Sequence, residues 1–345
     1  MYPLSVENPY PLNHWWVGAY ASEVGRGLLA RDILGERVLF YRTEAGEPIA
    51  LSGICPHRAF PLEKGRLVGD AVQCGYHGFT FAKNGACILV PSQDGVPPKS
   101  ALRRDPVVER GELVWIWTGQ EDLADPARVP DVAAIGLCDP AWSVEQHPIA
   151  TVNARYTLLI ENLLDLSHVT FIHANTIPGG EKVVAIPVTV VETEHSLTVQ
   201  RKGQNLPLNP LIQMQFPDQQ GAVHQDFDAE YIGPGLIRTG GMISDAATGR
   251  ALGTQNFIHM ITPASPTRLH YFVNTARNFG LENPALANVN LGMGSRIQPE
   301  DIEAIESIEA VLQSGVTMPR EISARIDNGA LKVRRRLERQ ISVSG

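Results

Sequence analysis

The chain has 345 residues, 43% hydrophobic and 19% charged, a composition that buries a core and argues against disorder. Against 37 Asp and Glu stand 29 Lys and Arg, and the formal charge of −8 argues against a nucleic-acid partner. Cys55, Cys74, Cys87 and Cys138 make no disulfide framework, and no window holds the 18 or so apolar residues of a membrane span.

The opening MYPLSVENPYPLNHWW lacks a basic region followed by an apolar run, so no secretory leader is expected and a cytoplasmic location is. Two domains are expected at this length. From about Trp15 to Thr118 short β-like runs alternate with turns: VLFYRT, PIALSGIC, AVQCGYHG, TFAKNGACILV and ELVWIWTG. The NG at 84–85 predicts a hairpin. Residues 1–120 therefore read as a small all-β domain, and the Asp/Pro/Ala-rich 121–141 as a connector. In 142–345, YTLLIENLLDLSHVTFI has helical spacing. The runs VVAIPVTVVETE, SLTVQRK, QNFIHMITP and LHYFVNTARN read as strands. PEDIEAIESIEAVLQSG reads as a helix starting at Pro299, and LKVRRRLERQI as a final amphipathic helix. The second domain is thus expected to be α+β, a curved antiparallel sheet packed by helices.

Two loops carry a chemical pattern. CPHRAF at 55–60 offers Cys55 and His57, and CGYHGF at 74–79 offers Cys74 and His77. Two thiolates and two imidazoles suit zinc or an iron–sulfur centre. A zinc finger pairs cysteines in one knuckle and histidines in the other. One of each per loop suits a [2Fe–2S] cluster with two cysteines on one iron and two histidines on the other. Downstream, ENLLDLSHVTFIH places Asn162, Asp165 and His168 three apart, which on a continuous helix puts them on one face. His173 follows five later, so the helix must end or distort near 169–172. Two histidines and a carboxylate form a facial triad for iron(II). Asp165, Glu300, Asp301, Glu303 and Glu306 are the open candidates for the carboxylate.

These motifs resemble the catalytic subunits of Rieske non-haem iron oxygenases: C-x-H and C-x2-H boxes, then N-x2-D-x2-H-x4-H and a late acidic helix, over nearly the whole chain. The resemblance implies a Rieske [2Fe–2S] domain followed by a helix-grip catalytic domain. It assigns the mononuclear iron to His168, His173 and Asp301, with Glu300 as the competing neighbour. It makes Asp165 a group hydrogen-bonded to histidines of both centres on the electron path, and places Asn162 close to the iron. Respiratory-chain relatives add a disulfide-forming cysteine to each loop. Here Ala59, Phe60, Gly75 and Tyr76 stand instead, which points to the soluble type.

ENLLDLSHVTFIH, ARNFG and RRRLERQI most resemble the vanillate O-demethylase branch, with its dicamba and toluenesulfonate relatives. That implies a terminal oxygenase acting on an aromatic acid, with O-demethylation and formaldehyde release. Methyl or ring hydroxylation, or a plain Rieske electron carrier, are the alternatives. It also implies a ring-shaped homotrimer with O2 as co-substrate. No G-x-G-x-x-G occurs, so NAD(P)H would act through a separate ferredoxin-type flavin/iron–sulfur reductase. His259, alternating with Phe257 and Ile261, is a candidate for holding a substrate carboxylate, with Gln225 and Asn256 as further polar candidates. Lys332, Arg334, Arg335, Arg336 and Arg339 form a basic face, solvated or reductase-binding. Cys87 and Cys138 are read as buried packing residues.

Overall fold

The computed structural model describes residues 9–177 and 179–344. The segment 1–8, part of the stretch read above for a leader, lies outside the described residues. The chain divides into two compact units.

The first unit holds Tyr10–Val129 with the hairpin tip Thr262–Pro266. Its strands are short because turn residues interrupt every apolar run. One three-stranded sheet joins His14–Tyr20, Leu113–Thr118 and Val107–Arg110. A four-stranded sheet joins Leu29–Ile33, Glu36–Arg42, Pro48–Ser52 and Arg104–Asp105. A second joins Arg66–Val68, Ala71–Gln73, Thr80–Phe81 and Cys87–Leu89. The Asn84–Gly85 turn closes the hairpin between the last two of these strands. Leu39, Tyr41, Ile49, Leu51, Phe81 and Leu102 form the core, and both Cys55 and Cys74 are buried in it. The two cysteine loops are therefore rooted in packed apolar side chains.

The second unit holds Pro130–Ile261 and Thr267–Val343 with the described Pro9. Its sheet has nine strands, all antiparallel where paired. The order runs Ser143–Gln146, Arg268–Arg277, Ala251–Ser265, Leu236–Asp245, Val223–Asp226, Leu197–Leu206, Val188–Glu192. Ala150–Val152 pairs with Arg268–Arg277, and Asp228–Gly233 bridges Leu197–Leu206 and Leu236–Asp245. Helices α1 (Tyr156–Leu164), α2 (Pro210–Gln215), α3 (Pro284–Gln313) and α4 (Asn328–Ser344) complete the unit. Among the described residues no helix is long and apolar enough to cross a membrane.

Three local expectations are corrected. First, α1 stops at Leu164, and Asp165 adopts φ −116, ψ 88. Its carboxylate accepts from the Ser167 N–H and caps a 3-10 turn over Leu166–Thr170. A short Asp side chain competes for backbone donors, so it ends the helix instead of sharing a face with Asn162 and His168. Second, α3 begins at Pro284, where Asn283 accepts from the Ala285 N–H, and runs through Pro299. Third, Val183–Ala185 lies in a 3-10 turn, and the strand begins at Val188.

Candidate active site

The two cysteine loops are built alike. In each, the cysteine N–H donates to the carbonyl of the phenylalanine five residues on, Cys55 to Phe60 at 2.9 Å and Cys74 to Phe79 at 2.8 Å. In each, the fifth residue of the loop, counting the cysteine as the first, donates back to the cysteine carbonyl, Ala59 at 2.9 Å and Gly78 at 3.1 Å. That closure puts both fifth residues at positive φ, +51 for Ala59 and +73 for Gly78. A Cβ on Gly78 would also lie 2.8 Å from Pro91. Each loop's phenylalanine packs on the other's ring: Phe79 stacks on His57 at 4.6 Å, and Phe60 lies 5.6 Å from Tyr76.

The thiols are buried and the imidazoles exposed, with His57 and His77 at 4.6 Å. Burial pushes the Cys55 thiol up to about 11, opposed by backbone N–H groups of His57 and Arg58 aimed at its sulfur. All four cysteines are free. Buried thiols met by backbone donors, beside two surface imidazoles, fit a group that takes two thiolates on its inner side and two histidines on its outer side.

The second constellation lies in the second unit. Metal-binding atoms of His168, His173 and Asp301 all fall within 4.8 Å of one another. Asp301 Oδ1 is 3.4 Å from His168 Nε2 and 3.2 Å from His173 Nε2. Both rings have their other nitrogen committed. His168 Nδ1 donates to the Asp165 carbonyl at 2.7 Å, and His173 Nδ1 donates to Glu300 Oε2 at 2.6 Å. Thr176 holds the other Glu300 oxygen. Each Nε2 is thus left as a lone pair facing Asp301. Asn162 Nδ2 donates to Asp301 Oδ1 at 3.2 Å, while its buried Oδ1 has no partner among the described residues. Two aligned imidazoles, one carboxylate and an orphaned amide oxygen fit a divalent ion of the type that takes two histidines and a carboxylate.

The late acids separate cleanly. Asp301 joins the histidines and Glu300 orients one of them. Glu306 accepts from the Asn153 N–H, Glu309 pairs with Arg155, and Glu303 is exposed. The Asn153 and Arg155 contacts hold the start of α1 against α3, which carries His168 and His173 toward Asp301. Glu300's orienting position was missed in the sequence, and its only signal was adjacency to Asp301. The Asp165 carboxylate is paired at 3.1 Å with Arg201, a fully buried guanidinium that sequence reasoning also missed.

His168, His173 and Asp301 border a cavity of about 450 Å³. Its wall is mainly apolar, with Leu163, Val169, Ile212, Phe227, Phe257 and Ile297 among the lining. His259 lines it too, between Thr239 Oγ1 at 3.0 Å and the Tyr271 hydroxyl at 2.7 Å. Burial lowers its pKa to about 4, so the ring is neutral and offers a carboxylate no charge. Gln225 lines the cavity, whereas Asn256 donates to the Ile135 carbonyl away from the wall.

The basic face of α4 is largely neutralised. Arg334 pairs with Glu161 and Glu321, and Lys332 and Arg336 pair with Glu192, leaving Arg335 and Arg339 as the exposed pair. Cys138 is exposed at φ +65 and Cys87 is half-buried, so neither is a fully buried packing residue.

A paired-loop β unit and a two-histidine, one-carboxylate cavity define an iron–sulfur oxygenase architecture. Residues 14–100 match the Rieske [2Fe-2S] domain, and residues 152–342 match the vanillate O-demethylase oxygenase C-terminal domain. The chain belongs to this family of Rieske oxygenase components, and it is an oxidoreductase carrying a Rieske [2Fe–2S] domain. It is 33% identical over 313 residues to the toluene-4-sulfonate monooxygenase iron-sulfur subunit of Comamonas testosteroni, covering 87% of this chain and 88% of the relative. It is 31% identical to the dicamba O-demethylase oxygenase component of Stenotrophomonas maltophilia, covering 95% and 96%. The crystal structure of dicamba monooxygenase bound to 3,6-dichlorosalicylic acid superposes with a TM-score of 0.88 at 28% identity, covering 97% and 98%.

Proposed function

We propose that this chain is the terminal oxygenase component of a monooxygenase system that uses O2 and electrons from a separate ferredoxin-type flavin/iron–sulfur reductase to oxidise an aromatic acid. The reaction proposed is O-demethylation of a methoxybenzoate, with formaldehyde released. The supporting observation is the His168–His173–Asp301 triangle on the wall of an apolar cavity of about 450 Å³, in a chain that also has the Rieske loops. A pure electron carrier has no use for such a cavity.

Cys55 and Cys74 would hold one iron of the cluster, His57 and His77 the other, and His168, His173 and Asp301 the single iron. When bound, the cluster supplies electrons one at a time and the single iron supplies the site of O2 activation. The chain's own groups do the rest. Glu300 and the Asp165 carbonyl hold the protons of His173 and His168 on Nδ1, fixing each ring's tautomer and aim. Asn162 steadies Asp301. The apolar wall binds the aromatic ring and excludes water from the reacting carbon. Asp165, fixed by Arg201, is proposed to carry electrons between neighbouring subunits of a homotrimer.

The test is anaerobic reduction of the purified protein, with EPR and total iron on one sample. A rhombic Rieske signal with about three irons per chain is expected, followed by formaldehyde release from a methoxybenzoate with reductase present. Hydroxylated product without formaldehyde would replace O-demethylation by methyl or ring hydroxylation. Two irons without recovery on adding iron(II) would leave an electron carrier. In Asp165→Asn both metals should remain while turnover collapses; full turnover would remove its relay role.

A further inference from the structure

Gln225 projects from the sheet into the cavity. It stands between Val223 and Phe227, and these three alternate residues all line the wall. Its register partners on the neighbouring strands are Gly203 and Ile243. Ile243 lines the wall as well, and Gly203 has no side chain with which to meet the amide. The next residue, Asp226, turns its carboxylate to Lys202 at 2.9 Å, and those two are register partners on the opposite face, as the period of two along a strand requires. No hydrogen bond among the described residues engages the Gln225 amide. Nor is the amide sealed off: Gln215 Oε1 and Gln298 Nε2 are buried orphans of this wall, whereas Gln225 is only partly buried and both of its amide atoms keep accessible surface.

The other polar side chains of the wall are spent on one another. Gln215 donates to Gln255 at 2.8 Å, Gln255 to Asn290 at 3.0 Å, and Asn290 to Glu145 at 3.0 Å. Both ring nitrogens of His259 are taken, by Thr239 and Tyr271. His147 Nε2 lies 2.8 Å from Thr275 Oγ1, and Asn209 Oδ1 accepts from the Ile212 N–H at 2.9 Å. Lys182, the only lysine or arginine on the wall among the described residues, is exposed, so an anion beside it keeps its water. An aromatic acid that enters an apolar cavity loses water from its carboxylate, and the loss costs affinity unless a donor replaces that water. The Gln225 NH2 is the donor that remains. An amide presents either its oxygen or its NH2, and with no partner to hold it Gln225 can turn Nε2 to a ligand.

We propose that Gln225 is a specificity-determining residue, and that its Nε2 donates to an oxygen of the substrate's carboxylate. The inference rests on the oxygenase reading above, which makes this cavity the substrate site and the substrate an aromatic acid. A hydrogen bond to a charged acceptor in such surroundings is worth about tenfold to a hundredfold in affinity. A ligand of the same shape without the acceptor forgoes that gain.

The experiment is calorimetric binding of 2-, 3- and 4-methoxybenzoate, and of the matching isopropenylanisoles, to the iron-loaded protein. The isopropenyl group has the planar shape of a carboxylate and no acceptor oxygen. In Gln225→Leu the tightest-binding acid should weaken at least about tenfold relative to its hydrocarbon partner, whose own affinity should hold or rise. In Gln225→Glu the acid should weaken further through like charge, and the matching methoxybenzylamine, a cation of similar size, should bind tighter than it does to the wild-type protein. Lys182→Gln should change the acid's affinity by less than about threefold. Three results each overturn the proposal: no acid binds the wild-type protein, the acid's affinity relative to the hydrocarbon survives Gln225→Leu, or Lys182→Gln costs more than Gln225→Leu. If Gln225→Leu does not fold, the acid-to-amine exchange in Gln225→Glu decides, and its absence overturns the proposal. All the acids carry the methoxyl, so formaldehyde assayed on the same samples judges the oxygenase reading separately. Acid recognition that depends on Gln225 without formaldehyde counts only against O-demethylation, and formaldehyde with recognition independent of Gln225 counts only against Gln225.

Discussion

Glu300 and Asp301 are adjacent acids on one helix, and their side chains leave it about 100° apart. That turn sends Asp301 between two imidazole Nε2 atoms and Glu300 to the far side of His173. Replacing Asp301 by Ala should abolish metal binding at this site. Glu300→Ala should keep the site but weaken it about 10- to 100-fold, because His173 loses the partner that fixes its tautomer and aim. Competitive titration with cobalt(II) measures both, and unchanged affinity in Glu300→Ala would reduce that residue to a surface acid. The sequence showed Cys55, His57, Cys74 and His77 readily, since four chemically distinctive residues sit in two short loops. It left the choice between Glu300 and Asp301 to family resemblance, because only the crossing of α3 over the histidines decides it. Arg201 was invisible for the same reason: its partner Asp165 lies 36 residues away along the chain.

At the scale of the element, α3 shows what a hydrophobic pattern misses. Its buried residues are Leu286, Asn290, Asp301, Ile305 and Glu309, a face at helical spacing that is largely polar. Apolar periodicity alone therefore starts the helix at Pro299, fifteen residues late. The unread half is held by packing. Gly294 lies against the buried His147, and an added Cβ would sit 2.3 Å from His147 Cε1. Two glycines on this helix, only two residues apart, should then respond in opposite ways. Gly294→Ala must displace His147 or the helix, at a cost of about 1–3 kcal/mol. Gly292 has nothing within 4 Å of its added Cβ. Gly292→Ala should stabilise by about 0.5–1 kcal/mol through helix propensity. Thermal unfolding of the two variants tests this, and equal shifts of the same sign would refute the packing account. The strands were more legible than this helix, since most are short runs rich in apolar and β-branched residues between turn residues, and the break in α1 comes at Leu164, ahead of the expected 169–172, because Asp165 caps locally instead of continuing the pattern.

Each compact unit contains a histidine that burial keeps neutral, and this sets how the whole molecule responds to acid. Burial, with Arg128 adding to it, lowers His14 to about 4 in the first unit. Burial lowers His259 to about 4 in the second, against the pull of Asp301. In the unfolded chain both titrate near about 6.5. Between those values the unfolded state binds protons that the native state refuses, so stability falls as pH falls. The slope is at most about 1.4 kcal/mol per pH unit for each histidine, and it is absent above about pH 7, where both states are neutral. Asp245 and Glu321, both held at about 2 chiefly by hydrogen bonds, act with the same sign but only in a lower window, below their unfolded values near 4. Buried Asp105 and Glu161, raised by desolvation, oppose it as they take up protons, and so does His173, held against burial above its ordinary value by Asp301 and Glu300, while His147, lowered by burial, adds to it. The histidines therefore dominate just below neutrality, and the urea midpoint should drop from pH 7 to pH 5.5 well before carboxylates protonate. His259→Gln carries no titrating ring, so its midpoint should fall less steeply over that interval whatever its stability at pH 7. A slope identical to wild type would mean that His259 takes up its proton in the folded protein, and that the cavity is wetter than its lining implies.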